Sequence, residues 1–257
     1  MNIEFRDKIK KILQDWKPGM VATYPWLEPR GVSHQLVEYY VRSGWFTKLA
    51  TGAFTRIGDQ PTWAGSVHVL QTHLNLPVHI GGRTAIELRG YSHYIRTEQT
   101  IHLYGTPRLK LPTWFKQLDS FKVIYTTTKL FDHSEAGISS LNVNDFNLAC
   151  SSLERAALEM LSHVPQLYGY AEAAYLMEGM NTLRPKVVQA LLEQCRSVKA
   201  KRLFLHLATE CNHRWVNQLD MSKINLGSGI RQLAGGHRFD KKYLIYVPDR
   251  VLNEGAS

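Results

Sequence analysis

Apolar residues at Ile9, Ile12, Leu13 and Trp16 recur at i, i+3, i+4 and i+7, the stripe of an amphipathic helix, while Lys8, Lys10, Lys11 and Lys17 fall off it. Pro18-Gly19 ends that helix, because proline cannot continue it and glycine accepts left-handed backbone. A short second helix is expected from Thr23 as N-cap, with Pro25 in its first turn, Leu27 facing inward, a stop at Pro29 and a turn at Gly31. Ser33 then caps a third helix over 34–43. Its buried face is Leu36, Val37, Tyr40 and Val41, and His34, Gln35, Glu38, Tyr39 and Arg42 point outward until Gly44 ends it. The run WFTKLATGAFTRIG reads as two strands, 45–49 and 53–57, joined through Gly52. Three helices and a hairpin in this order predict a winged helix-turn-helix over residues 1–60.

Beyond it, 63–74 has helical spacing through Val67, Leu70 and Leu74 and is expected to bridge to the rest of the chain. HIGGRTAIELRG reads as a strand end, a glycine turn and a short helix. Short β-rich runs follow at 100–104, 121–127 and 138–146, with TPRLKLPTWF between them as a loop or edge segment, since its prolines lack a ladder donor. From Ser151 the pattern turns helical: Ser151 stands three before Glu154, a capping-box spacing, and further helices fit 170–179, 183–195 and 199–211. A last strand fits 243–247. The fold class expected is α+β, an N-terminal winged helix-turn-helix followed by a mixed α+β domain over 61–257.

Composition narrows the setting. Hydrophobic residues make up 44% and charged residues 21%, which suits a globular chain with a sizeable core. No run of 18 apolar residues occurs and the start MNIEFRDKIKKIL has no signal-like apolar stretch, so neither a membrane span nor a membrane partner is expected. Cys150, Cys195 and Cys211 are odd in number and form no CxxC, which points to reduced thiols and a cytoplasmic location. The net charge of +9 suits a polyanionic partner, yet residues 1–60, 61–140 and 141–257 each carry +3, so composition permits nucleic-acid binding without locating it.

Shape supplies the chemistry. A helix fits the major groove, so outward residues in the first turns of the third helix reach base edges. Ser33, His34 and Gln35 are best placed; Gln35 has the paired donor and acceptor that adenine requires, and Ser33 with the helix N-terminus suits a phosphate. Tyr39, Arg42, Lys48 and Arg56 complete the candidate DNA-binding set, the three basic residues as phosphate contacts from the helix end and hairpin. Winged helices also serve as protein-docking modules, and Glu38 with a single arginine on this helix leaves that reading open.

Other constellations are weaker. His206, Cys211 and His213 lie at i, i+5 and i+7, which matches no standard zinc spacing, and His68 with His73 or His79 with His93 is no better, so no metal is expected. No GxSxG, GxxxxGK[ST] or HExxH motif occurs, and no catalytic residue or cofactor is assigned. The amides of Gly227-Ser228-Gly229 are a weak candidate for holding an anion. Lys199, Lys201 and Arg202, with Arg184, Lys186 and Arg196, read by default as a solvated face and, more sharply, as a basic surface for nucleic acid or a partner.

Several long blocks resemble the AbiEi-type antitoxins of bacterial abortive-infection, type IV toxin–antitoxin systems. They are LEPRGVSHQLVEYYVRSGWFTKLATGAFTRI, HIGGRTAIELRGYSHYI, SSLERAALEMLSHVP, LMEGMNTLRPKVVQALLEQCRSVKAKRLFLHLA and INLGSG, in that order. The resemblance implies a DNA-binding antitoxin that represses its own operon by binding repeated promoter sequences. It implies a second role too, countering a nucleotidyltransferase-like toxin without a stable complex, with neutralisation linked to the C-terminal domain. His34 and Glu38 stand where relatives often carry basic residues, and Pro29 shortens the second helix. The contrasting expectation is an enzyme, a nuclease-like or nucleotide-processing domain steered to DNA by the winged helix. It would need clustered carboxylates for magnesium, whereas Glu154, Glu159, Glu172, Glu178 and Glu193 are mostly spaced as helix-surface residues.

Overall fold

A computed structural model describes residues 3–91, 100–133 and 135–250. His93, one of the histidines considered for a metal pair, and the end of the HIGGRTAIELRGYSHYI block lie outside them. The chain opens with α1 (Ile3–Asp15), whose stripe residues Ile9, Ile12 and Trp16 are buried. The Trp16 indole N–H donates to the Met20 carbonyl at 2.9 Å, closing the turn beyond the helix. Strand β1 (Ala22–Thr23), α2 (Tyr24–Leu27), a 3-10 turn (Glu28–Arg30), α3 (His34–Arg42), β2 (Phe46–Ala50) and β3 (Ala53–Arg56) follow. The strands form an antiparallel sheet ordered β1-β3-β2. The hairpin falls within a residue of its expected bounds, whereas β1 was not foreseen. Two residues carry no periodicity, and their partners Ala53 and Phe54 lie far along the chain.

Helix α4 (Trp63–His68) runs on into a π-helical turn (Val69–His73), which together fill the stretch expected to be helical. Gly65 is needed there: a β-carbon at this position would stand 2.3 Å from the Gly19 carbonyl oxygen. Next come β4 (Val78–Ile80), α5 (Gly82–Leu88), β5 (Thr100–Gly105), α6 (Thr113–Lys116), β6 (Lys122–Thr127), β7 (Ile138–Val143) and β8 (Phe146–Ser151). Their strands form a mixed sheet ordered β6-β5-β4-β8-β7, with β4 parallel to β8 and antiparallel to β5. The expected single run over 138–146 is in fact strand β7 and the turn of a hairpin, because Asn144 and Asp145 take positive φ (47° and 67°) and reverse the chain into β8. Within TPRLKLPTWF, a short helix starts after Pro112.

Four helices complete the core: α7 (Leu153–Ser162), α8 (Tyr170–Glu178), α9 (Pro185–Gln194) and α10 (Val198–Glu210). Ser152 rather than Ser151 caps α7, its hydroxyl accepting from the Arg155 N–H at 3.3 Å, while Ser151 ends β8. Strands β9 (Arg231–Gln232), β10 (Arg238–Asp240) and β11 (Ile245–Val247) form a small sheet ordered β10-β11-β9. One hydrophobic core runs from Ile9 to Val247. Where the first helices meet the five-stranded sheet, the Lys17 ammonium donates to the Asp145 carbonyl at 2.7 Å. At the same place the His68 ring packs on Phe146 (5.2 Å) and His73 on Trp26 (5.8 Å).

Candidate nucleic-acid interface

Helix α3 is held by one face and offers the other. Leu36, Val37 and Tyr40 are buried, Val41 is half-buried, and Ser33, His34, Gln35, Glu38 and Arg42 are exposed. The Ser33 hydroxyl accepts from the Leu36 N–H at 3.3 Å, so it fixes the helix start as expected. The His34 ring stacks on Tyr24, centroids 3.7 Å apart, and its Nε2 lies 3.1 Å from Glu28 Oε1. Tyr24 and Glu28, which position the helix's first residue, were missed; their signal was an aromatic residue just after the Thr23 cap and an acid six before His34. Tyr39 is half-buried beside Tyr40, its ring 5.9 Å away, which makes it more a packing residue than a free contact.

Between α3 and the β2–β3 hairpin lies a groove of about 320 Å³ lined by Tyr24, Glu38, Arg42, Lys48 and Gly52, among others. Arg42 and Lys48 are exposed on its walls. Arg56 is different. Its guanidinium is tied to Asp59 Oδ2 at 3.0 Å, and that carboxylate also accepts from the Gly19 N–H at 3.0 Å. The expected free phosphate contact is therefore a link between β3 and the end of the first helix. A second basic groove, of about 400 Å³, is lined by Lys8, Lys11 and Arg30 with Asp15.

The six C-terminal basic residues do not make one surface. Arg202 is 1% exposed, and its guanidinium donates to the carbonyls of Leu226 (2.9 Å), Gly227 (3.1 Å), Gly229 (2.6 Å) and Leu244 (2.9 Å). The Gly227-Ser228-Gly229 loop thus presents carbonyls to a cation, the reverse of the anion-holding amides expected. Lys201 is buried, with its ammonium pKa pushed down by burial, and Lys199 donates to the Val164 carbonyl at 2.6 Å. Arg184 forms a fork on Glu154 (2.9 and 3.0 Å), Arg196 pairs with Asp132 (2.6 Å), and Lys186 is exposed.

Two of the glutamates expected on helix surfaces are buried. Glu159 accepts from Arg155 Nε (2.7 Å), the Ser151 hydroxyl (2.8 Å) and the Gly82 N–H (3.0 Å), and lies 2.8 Å from His79 Nε2. Burial raises its pKa, but His79 and Arg155 outweigh burial and hold the carboxyl at about 2. Glu154 is likewise held at about 2, burial being outweighed by the Arg184 hydrogen bonds. Glu172 is paired with Arg83, and Glu178 lies 4.0 Å from Arg250. A cavity of about 270 Å³ beside the Glu159 cluster is lined by His79, Arg155 and Glu135 amid largely apolar neighbours. Among the described residues no three His, Cys, Asp or Glu side chains gather as a metal site would require. His206 engages Asp240 (2.6 Å), His213 the Met177 carbonyl (2.8 Å), and Cys211 accepts from Arg250 (3.2 Å). All three cysteines are free, and burial pushes the Cys150 thiol up to about 11. No helix among the described residues is long and apolar enough to cross a membrane.

Comparison with known proteins extends this geometry. No curated protein matches the chain. The structure of the RV2827C protein from Mycobacterium tuberculosis shares its fold, with a TM-score of 0.62 at 14% identity over 95% of this chain and 92% of that one. Two family models match in tandem: "Transcriptional regulator, AbiEi antitoxin N-terminal domain" over residues 5–97, and "Transcriptional regulator, AbiEi antitoxin, Type IV TA system" over residues 98–248. Since the two together cover residues 5–248, the chain belongs to the AbiEi antitoxin family of transcriptional regulators of type IV toxin–antitoxin systems.

Proposed function

We propose that residues 1–60 act as a winged helix-turn-helix that lays α3 in the major groove of the promoter of the chain's own operon and represses it. Residues 61–257 are the antitoxin domain, countering a nucleotidyltransferase-like toxin without a stable complex, in the cytoplasm. The observation that carries the DNA reading is the leading edge of α3. His34 and Gln35 are exposed on a helix whose opposite face is fixed in the core, with Arg42 and Lys48 lining the groove toward the hairpin. In this arrangement Gln35 reads a base edge, and Arg42 and Lys48 hold phosphates.

The test is fluorescence anisotropy on the duplex upstream of the chain's own gene against a scrambled duplex of equal length. Tight binding to the first alone, weakening steeply with salt, is expected. Gln35→Ala should relax discrimination by about 1–3 kcal/mol at one base position, and Lys48→Ala should weaken both duplexes alike. Equal affinity for the two duplexes would remove the sequence-specific reading. For the second role, co-expression of the downstream reading frame with and without this chain reads neutralisation directly. Co-purification of the two proteins would overturn the absence of a stable complex.

A further inference from the structure

The small C-terminal sheet has an outward face that is exposed among the described residues. In β11, Ile245 and Val247 are buried, and Tyr246 between them points the other way, half-exposed. Phe239 of β10 stands opposite Tyr246 in the ladder, 43% exposed, with ring centroids 4.7 Å apart and planes tilted 33°. On the other side Tyr246 pairs with Gln232 of β9. The Arg231 N–H bonds the Leu244 carbonyl at 2.9 Å, which brings Ile230 (55% exposed) and Leu244 (38% exposed) to the same end of the sheet. Leu244 also takes a positive φ of 50°, a costly backbone for an exposed leucine.

Charge says what such a face suits. Of the six Lys or Arg in residues 223–250, Lys223 pairs with Asp220 (3.3 Å), Arg238 with Glu210 (3.0 Å) and Asp249 (3.5 Å), and Arg250 with Glu210 (2.9 Å), which leaves Arg231, Lys241 and Lys242 outside any ion pair among the described residues. Arg231, which precedes Gln232 on β9, and Lys241 and Lys242, which follow Phe239 by two and three residues, are exposed. Adjacent exposed rings on a sheet, rimmed by cations, match the chemistry of splayed bases that stack while phosphates run along the edge. We infer that the outward face of β9–β11, built on Phe239 and Tyr246 and flanked by Arg231, Lys241 and Lys242, is a stacking platform for an unpaired nucleic-acid strand. This surface is separate from α3 and does not depend on the promoter-binding reading.

The experiment uses the full chain and a fluorescein-labelled oligothymidine of about a dozen nucleotides, followed by anisotropy. Phe239→Ser should weaken binding roughly 5- to 150-fold, the loss of one stacked base. K241E/K242E should weaken it and lower the log–log salt slope by about 1.4, as two phosphate contacts on a single strand predict. Both variants should bind duplex DNA as the parent does and melt at the same temperature. Three results would overturn the inference: no binding of oligothymidine by the parent chain, binding unmoved by both variants, or a parent that self-associates in sedimentation and becomes monomeric as Phe239→Ser. The last would make the face a contact between copies.

Discussion

The His34 imidazole lies flat on the Tyr24 ring, the planes 8° from parallel, so the first residue of α3 is clamped to the first residue of α2. Glu28 holds the same ring from the turn between the two helices. A side chain held in place before DNA arrives loses less freedom on binding than one that must be ordered. Tyr24→Phe keeps the stack and should leave DNA affinity unchanged. Tyr24→Ala should weaken it by about 1 kcal/mol, or roughly fivefold, the worth of one such ring pair. Anisotropy on the upstream duplex, with a melting curve for each variant, checks this; equal affinity for parent and alanine variant would mean the clamp does not serve binding.

Arg56 and Lys48 sit on neighbouring strands of the hairpin, yet they should respond differently to removal. Arg56 is held by Asp59, whose carboxylate also ties down Gly19, while Lys48 faces the groove beside α3. Arg56→Ala should lower the melting temperature by several degrees, as loss of a half-buried charge-assisted hydrogen bond worth about 1.5–3 kcal/mol implies. Lys48→Ala should leave melting unchanged and reduce the salt slope for duplex binding by about 0.9. A stable Arg56→Ala chain with a reduced salt slope would return Arg56 to the DNA-contacting set.

Legibility followed the range of the interactions. The α3 face, its Ser33 cap and the following hairpin were readable, because helical spacing and a glycine turn are written within a dozen residues. Asn144-Asp145 was passed over because the strands on both sides are β-rich, and only the positive φ values reveal the reversal. The basic run in α10 was misread for a non-local reason. Residues Ala200–Ala208 are all buried, and the partners that accept Lys199 and Arg202 lie 24 to 42 residues away along the chain. Spacing identifies a helix, but a helix enclosed on every side has no face for periodicity to reveal.

Arg202 offers a sharp test of that correction. Four carbonyls surround its guanidinium, two of them from the glycine loop at 227–229. Lysine carries the charge without the planar fork, so Arg202→Lys should strand carbonyls of Leu226, Gly227 and Gly229, while that of Leu244 keeps the Arg231 N–H. A loss of about 3–5 kcal/mol is expected, close to 10 °C in melting temperature for a chain of this size. Lys186→Ala, on the exposed face of α9, should stay within about 0.5 kcal/mol of the parent. Urea titrations of both variants decide the matter, and a stable Arg202→Lys would show that the cradle is not a structural element.

Acid should loosen the junction between the first helices and the five-stranded sheet before it disturbs the buried carboxylates. Burial pulls the His73 pKa down to about 4, helped by the charges of His68 and Arg30, and burial lowers His68 and His163 as well. Each ring takes a proton less readily in the fold than in the unfolded chain, where its ordinary value is 6.5. Their contribution is therefore complete above pH 6.5 and is withdrawn as the pH falls toward 4. Glu154 and Glu159, held at about 2, lose theirs only below their ordinary value of 4.5, so the interval between 4.5 and 6.5 belongs to the histidines. Unfolding free energies from urea titrations across that interval should fall by up to about 1 kcal/mol per pH unit, allowing for partial solvent screening. His73→Gln should flatten the slope, because glutamine fills the space beside Trp26 without titrating. An unchanged slope in that variant would place the acid sensitivity elsewhere in the chain.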